Sequence, residues 1–170
     1  MAIWRRLGWV ELTDAEENAA WHRFEAAFGH FGTGIREPVP SLTWNISGVY
    51  DGGEELLRWL EADLNAKALR SLTACTSLGE SVYALDWQHP CFWFDPRGGV
   101  RSGDPDEWAV PVLPNGDHYV FLARDLRFGF IGHMDASVCV FGAPLLAELA
   151  ADLPVAFTCL LRRDGQPVEK

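Results

Sequence analysis

Positive charge is what this chain has least of: 14 Lys and Arg stand against 24 Asp and Glu, a formal net charge of −10. Nucleic-acid binders draw most of their affinity from a basic surface that displaces counterions, so the balance argues against that class. It favours solubility, or attraction to a basic protein partner. Long apolar runs are also missing. No window approaches the roughly 20 residues that a membrane-spanning helix needs. The basic N-terminal segment leads into no apolar run of leader length. The expectation is a cytoplasmic protein without membrane contact.

Paired cysteines are absent as well. Cys75, Cys91, Cys139 and Cys159 lie far apart, which excludes zinc knuckles and Cys-x-x-Cys redox pairs. Cys91 and Cys139 fall inside apolar runs and are expected to be buried free thiols. There is no Gly-x-Ser-x-Gly elbow. The Gly98-Gly99 pair has neither the Lys-Ser/Thr nor the following helix of a phosphate-binding loop. No cofactor is expected. Internal repeats, low-complexity runs and linkers are missing too.

What remains is an ordinary globular composition, 48% hydrophobic and 22% charged, with eight Trp and ten Phe in 170 residues. That length fits a single domain able to bury roughly 70% of its unfolded surface without a disulfide or metal.

The order of elements can be read along the chain. Thr13 and Glu16 form a capping box, and Trp21, Phe24 and Phe28 recur at helical spacing until Gly29 stops the helix. A Gly- and Pro-rich loop follows. Leu42, Trp44 and Ile46 then alternate with polar residues as a half-buried strand. A second helix carries Leu57, Leu60, Leu64, Ala68 and Leu72 on one face. Residues 82–87 and 91–94 read as a hairpin around Asp86-Trp87-Gln88-His89-Pro90. Residues 100–107 are polar and are expected to be the loosest loop. Residues 110–113 and 119–123 flank Asn115-Gly116, a strong hairpin signal. Two more strands are expected at 128–133 and 138–141. A short helix begins at Pro144, and a final apolar strand is expected over 155–161.

The whole reads as one α+β domain. An antiparallel sheet of about six to eight strands, largely a meander, packs against two N-terminal helices, with a short C-terminal helix and strand. Trp21, Phe24, Leu57, Leu60, Leu64, Leu85, Phe121 and Val140 are expected in the core.

Five motifs, in this order, carry a family resemblance: EPVPSLTW at 37–44, ALDWQHP at 84–90, PNGD at 114–117 followed by Phe121-Leu122, FGFIGH at 128–133, and CVFG at 139–142. Together they resemble the bacterial DUF2716 family over most of the chain. The resemblance implies no established activity, cofactor or catalytic residue.

Candidate sites therefore rest on the residues themselves. Asp86 and His89 share one hairpin end, with His133 as a third member. If the meander forms, Asp117 and His118 come near them. A carboxylate orienting an imidazole serves acid–base catalysis or metal ligation, and equally braces a tight turn. The spacing of His89, His118 and His133 fits no short metal motif, so no metal is expected. Trp87, Phe92, Trp93, Phe94 and Trp108 form an aromatic set. Its exposed members, Trp87, Trp93 and Trp108, would bind a protein or peptide if they share a face, and otherwise belong to the core. The favoured expectation is a small non-enzymatic interaction module, an acidic inhibitor of the immunity-protein kind with a basic protein partner. The alternative is a small hydrolase-like enzyme built on Asp86, His89 and His133.

Overall fold

The computed structural model describes residues 7–169. Eleven strands and three α-helices follow one another along it. In the first half these are β1 (Trp9–Glu11), α1 (Asp14–Phe28), β2 (Gly29–His30), β3 (Gly34–Ile35), β4 (Ser41–Asn45) and α2 (Gly53–Cys75). The second half runs β5 (Val82–Asp86), β6 (Phe92–Phe94), β7 (Tyr119–Leu122), β8 (Gly129–His133), β9 (Ser137–Phe141), α3 (Ala143–Ala151), β10 (Cys159–Arg163) and β11 (Gln166–Pro167). Residues 1–6, on which part of the leader reading rests, lie outside the described residues.

Nine strands form one antiparallel sheet in the order β1-β6-β5-β7-β8-β9-β4-β10-β11, and β2 and β3 form a separate hairpin. The stretch from β7 to β9 is the expected meander. The strand count is higher than expected because β1 and β11 are too short to show a period. Both sit at the sheet's edges.

The helices do not share a face. Along β5, Val82 and Ala84 point into a core with Leu60, Leu64, Ala68 and Leu72 of α2 and Leu145 and Leu149 of α3. Tyr83 and Leu85 point the other way, against Ala20, Phe24 and Phe28 of α1. The period-2 alternation of a strand thus feeds two cores, and β5, β7 and β9 are buried along their whole lengths. Phe24, Leu60, Leu64, Leu85, Phe121 and Val140 are buried as expected. Trp21 and Leu57 are only half-buried, packed at the rims of the two cores.

The α1 helix begins as its sequence dictates. The Thr13 hydroxyl accepts from the Glu16 amide at 3.3 Å, and a Glu16 carboxylate oxygen accepts from the Thr13 amide at 2.8 Å, a complete capping box.

Two expected strands are corrected. Residues 110–113 form no strand: Pro111 and Pro114 donate no ladder hydrogen bonds, and Val110, Val112 and Leu113 instead pack as irregular chain into the α2 core. Gly116 has a φ of 73° but Asn115 does not share a positive φ, so the type I′ hairpin geometry does not form. The last strand starts at Cys159, after Ala156 and Phe157 have turned into the core. Segment 100–107 is tied down rather than loose. Asn65 donates to the Gly103 carbonyl at 3.3 Å, Trp108 donates to the Ser102 carbonyl at 3.2 Å, and Arg58 reaches Asp104 and Asp106 at 3.0 Å each.

Candidate functional site

The register of β5 on β7 sets Asp86 opposite Tyr119. One further backbone hydrogen bond, Trp87 N–H to the His118 carbonyl at 3.2 Å, extends the ladder past both strand ends. Asp117 is thereby laid beside the 86–90 turn. Asp86 Oδ1 accepts from the backbone amides of Gln88 (3.0 Å) and His89 (3.1 Å), the side-chain-to-backbone pattern that closes a tight turn. The same carboxylate holds the imidazole: His89 Nδ1 lies 3.1 Å from Asp86 Oδ1 and 3.2 Å from Oδ2. Asp117 Oδ2 stands 3.6 Å from that nitrogen. Turn bracing and carboxylate–imidazole pairing therefore occur in one group.

Asp86 and Asp117 are buried, whereas the His89 side chain is 67% exposed. Burial, then the neighbouring Asp117 carboxyl, pushes the Asp86 carboxyl above the usual carboxylate range. Hydrogen bonding to Asp86 raises the His89 imidazole, because it favours the charged ring.

His133 does not join this group. Its Nε2 lies 3.7 Å from Glu37 Oε1. Glu37 in turn accepts from Arg162 Nε at 2.9 Å, from Arg162 Nη2 at 2.7 Å and from the Thr43 hydroxyl at 2.8 Å. Glu37, His133 and Arg162 line a cleft of about 410 Å³ with Ile35 and Asp164. Burial lowers the His133 pKa, which favours the neutral ring. Between the two groups sits Phe31 at the tip of the β2–β3 hairpin. It stacks on His118 at 4.0 Å, meets Trp87 at 5.3 Å, and meets His133 edge-on at 6.0 Å.

The aromatic set is dispersed. Trp87 is partly exposed against Phe31, while Trp93 stacks on Tyr83 at 4.3 Å with the Arg124 guanidinium over its ring. Phe92 and Phe94 face the α2 core. Trp108 is 4% exposed and lies in that core, so it presents no surface to a partner. The shared-face arrangement fails because both faces of the sheet carry helices. Cys91 beside Asp86 is not poised as a nucleophile: burial pushes its thiol up to about 12, and its sulfur is hydrogen-bonded with the Asp86 backbone. Burial likewise pushes Cys139 up to about 12. Cys159 is exposed.

Three features escaped the sequence reading. Phe31 falls in a Gly-rich loop without periodicity. The Glu37–Arg162 pair joins residues far apart in the chain. The third is Trp59, 55% exposed on the outer side of α2 with Leu56 at 43%. A signal existed for Trp59, since it lies off the Leu57–Leu60–Leu64 stripe, with Leu56 one turn before it, so the two form an apolar pair on the outer helix face. It borders an open groove of about 500 Å³ lined also by Glu55, Arg58, Gly103 and Asp104.

The comparisons agree with these motifs. The model of a family described as "Protein of unknown function (DUF2716)" matches residues 11–146. An uncharacterized protein of Bacillus subtilis (strain 168), YxiI, is 28% identical over 158 residues, which covers 89% of this chain and 98% of that protein. No solved structure matches. Among the described residues, no helix is long and apolar enough to cross a membrane.

Proposed function

The chain belongs to the DUF2716 family, a family of unknown function, and we propose that it is a small cytoplasmic interaction module that binds a basic protein through the outer face of α2. The observation that carries this reading is the exposed Trp59, set in a groove with Glu55 and Asp104 on its rim. Trp is the residue type most enriched among energetic hot spots of interfaces. Its ring face also attracts Lys and Arg side chains. Glu54 and Glu55 are exposed in the first turn of the same helix, and the net charge of −10 draws a basic partner in by long-range steering. An acidic inhibitor that caps a basic enzyme, in the manner of an immunity protein, has this combination of anchor and field.

Affinity capture from the native host at low and high salt tests the proposal. Reversal should be made at Glu54 and Glu55 only. Glu61 is half-buried and its carboxyl is raised by that burial, so Glu61→Lys would disturb packing as well as charge. A partner held at low salt, released at high salt and lost with Glu54→Lys/Glu55→Lys supports the reading. Retention of that partner by both the charge reversal and Trp59→Ala removes it.

A second reading, a hydrolase-like enzyme, is favoured by the 3.1 Å contact of His89 Nδ1 with Asp86. It places an oriented imidazole at the surface, able to take a proton from water. Turnover in a substrate screen that disappears in His89→Ala would favour it over the interaction module.

A further inference from the structure

The group around His89 has a property that turn bracing leaves unexplained. Asp117 is 3% exposed. Its Oδ1 accepts from the His118 amide at 2.7 Å and from Gln88 Nε2 at 3.3 Å. Its Oδ2 is buried and receives no hydrogen bond, and it is directed at the same imidazole nitrogen that Asp86 holds. An unpaired buried carboxylate oxygen is costly, and a second buried carboxylate beside it adds repulsion. One proton on His89 Nδ1 sits close to Asp86 and leaves Asp117 Oδ2 without a donor. A divalent cation at the centre would neutralise both.

The spacing fits such an ion. One ligand atom from each of Asp86, His89 and Asp117 can be chosen so that all lie within 4.8 Å of one another. The measured separations from His89 Nδ1 to the carboxylate oxygens run from 3.1 to 3.6 Å. With metal–ligand bonds of about 2.1 Å, the edge of a tetrahedron is roughly 3.4 Å. The open side faces solvent through the exposed His89, so water can complete the coordination.

We propose that Asp86, His89 and Asp117 bind one divalent first-row transition cation, through one oxygen of each carboxylate and Nδ1 of the imidazole. The donor set selects the class. Imidazole suits zinc, copper, iron and nickel, whereas calcium and magnesium take oxygen ligands. The cation site stands apart from the α2 groove and does not depend on the partner proposed there.

The test is titration of the full chain, stripped with chelator, with Co²⁺ as the probe. Calorimetry and the visible absorption of the bound ion supply two readouts. The proposal expects one equivalent bound and a rise in melting temperature. His89→Ala and Asp117→Asn should weaken binding about 100-fold or more, beyond the 10–100-fold that outer partners of a metal site cost. Cys159→Ser, which removes an exposed thiol, should change nothing. His89 is solvent-facing, so His89→Ala decides the matter even if Asp117→Asn folds poorly. No stoichiometric binding of Co²⁺ or Zn²⁺, or equal affinity in wild type and His89→Ala, overturns the proposal.

Discussion

Phe31 lies face to face with His118, ring centroids 4.0 Å apart and planes 16° from parallel. The contact pins the β2–β3 hairpin across the ends of β5, β7 and β8. It is also what separates the Asp86 group from the Glu37 cleft. Phe31→Ala should destabilise the fold by about 1–3 kcal/mol, from lost ring pairing and partial burial. Urea unfolding measures the loss. The ring-current displacement of the His118 imidazole protons should shrink in NMR spectra of the same variant, leaving the part due to Trp87 at 4.7 Å.

Glu37 and Arg162 make a second prediction. The Glu37 side chain is 5% exposed and that of Arg162 28%. Removing one partner strands the other's charge, which costs about 3–5 kcal/mol for a fully buried pair. Arg162→Met leaves the buried Glu37 carboxylate with the Thr43 hydroxyl as a remaining donor, which brings the cost to roughly 2–3 kcal/mol. The double variant Glu37→Leu/Arg162→Met should recover most of the loss. Equal destabilisation in the single and double variants would show that packing, not charge, is at stake.

His133 supplies a pH dependence. Burial holds its folded pKa below the ordinary 6.5. Between 6.5 and that lower value the unfolded chain takes up a proton that the folded chain refuses, so stability falls as pH falls through this window. Above 6.5 the contribution is complete. Denaturant midpoints at pH 7.5 and pH 5.5 should differ less in His133→Gln than in wild type. An unchanged difference would mean that His133 protonates freely in the fold.

Gly103 makes the fourth. A Cβ at this position would collide with the Ala62 carbonyl of α2. Gly103→Ala should therefore push segment 100–107 off the helix, costing about 1–3 kcal/mol, and reshape the groove beside Trp59. Full stability in this variant would show that the segment yields easily.

Residues with a local signal were legible before the structure. Thr13 and Glu16 marked a helix start, the short apolar runs at 82–87 and 138–141 marked strands, and Asp86 with His89 marked a polar turn. What was not legible depends on distance in the chain. Nothing in a one-dimensional pattern says that α1 and α2 take opposite faces. A run such as 119–122 is apolar at every position, and that continuity is itself the mark of a strand buried on both sides. Asp117 joined the Asp86 group only through the β5–β7 register. Segment 110–113 misled because apolar residues can be buried without pairing, and Pro111 was the warning. Trp59 was visible as an apolar residue on the wrong side of its helix.

In the proposed function, α2 presents an aromatic anchor within an acidic field. Stopped-flow association of the captured partner, followed across ionic strength, tests it most directly. Steering charges act on association, whereas a packed anchor acts on dissociation. Wild-type association should slow about tenfold or more between low and physiological salt. Glu54→Lys/Glu55→Lys should be slow at every salt concentration, and Trp59→Ala should associate normally but dissociate about tenfold faster or more, a loss of at least roughly 1.4 kcal/mol. Association that ignores salt, with dissociation unchanged by Trp59→Ala, would contradict it.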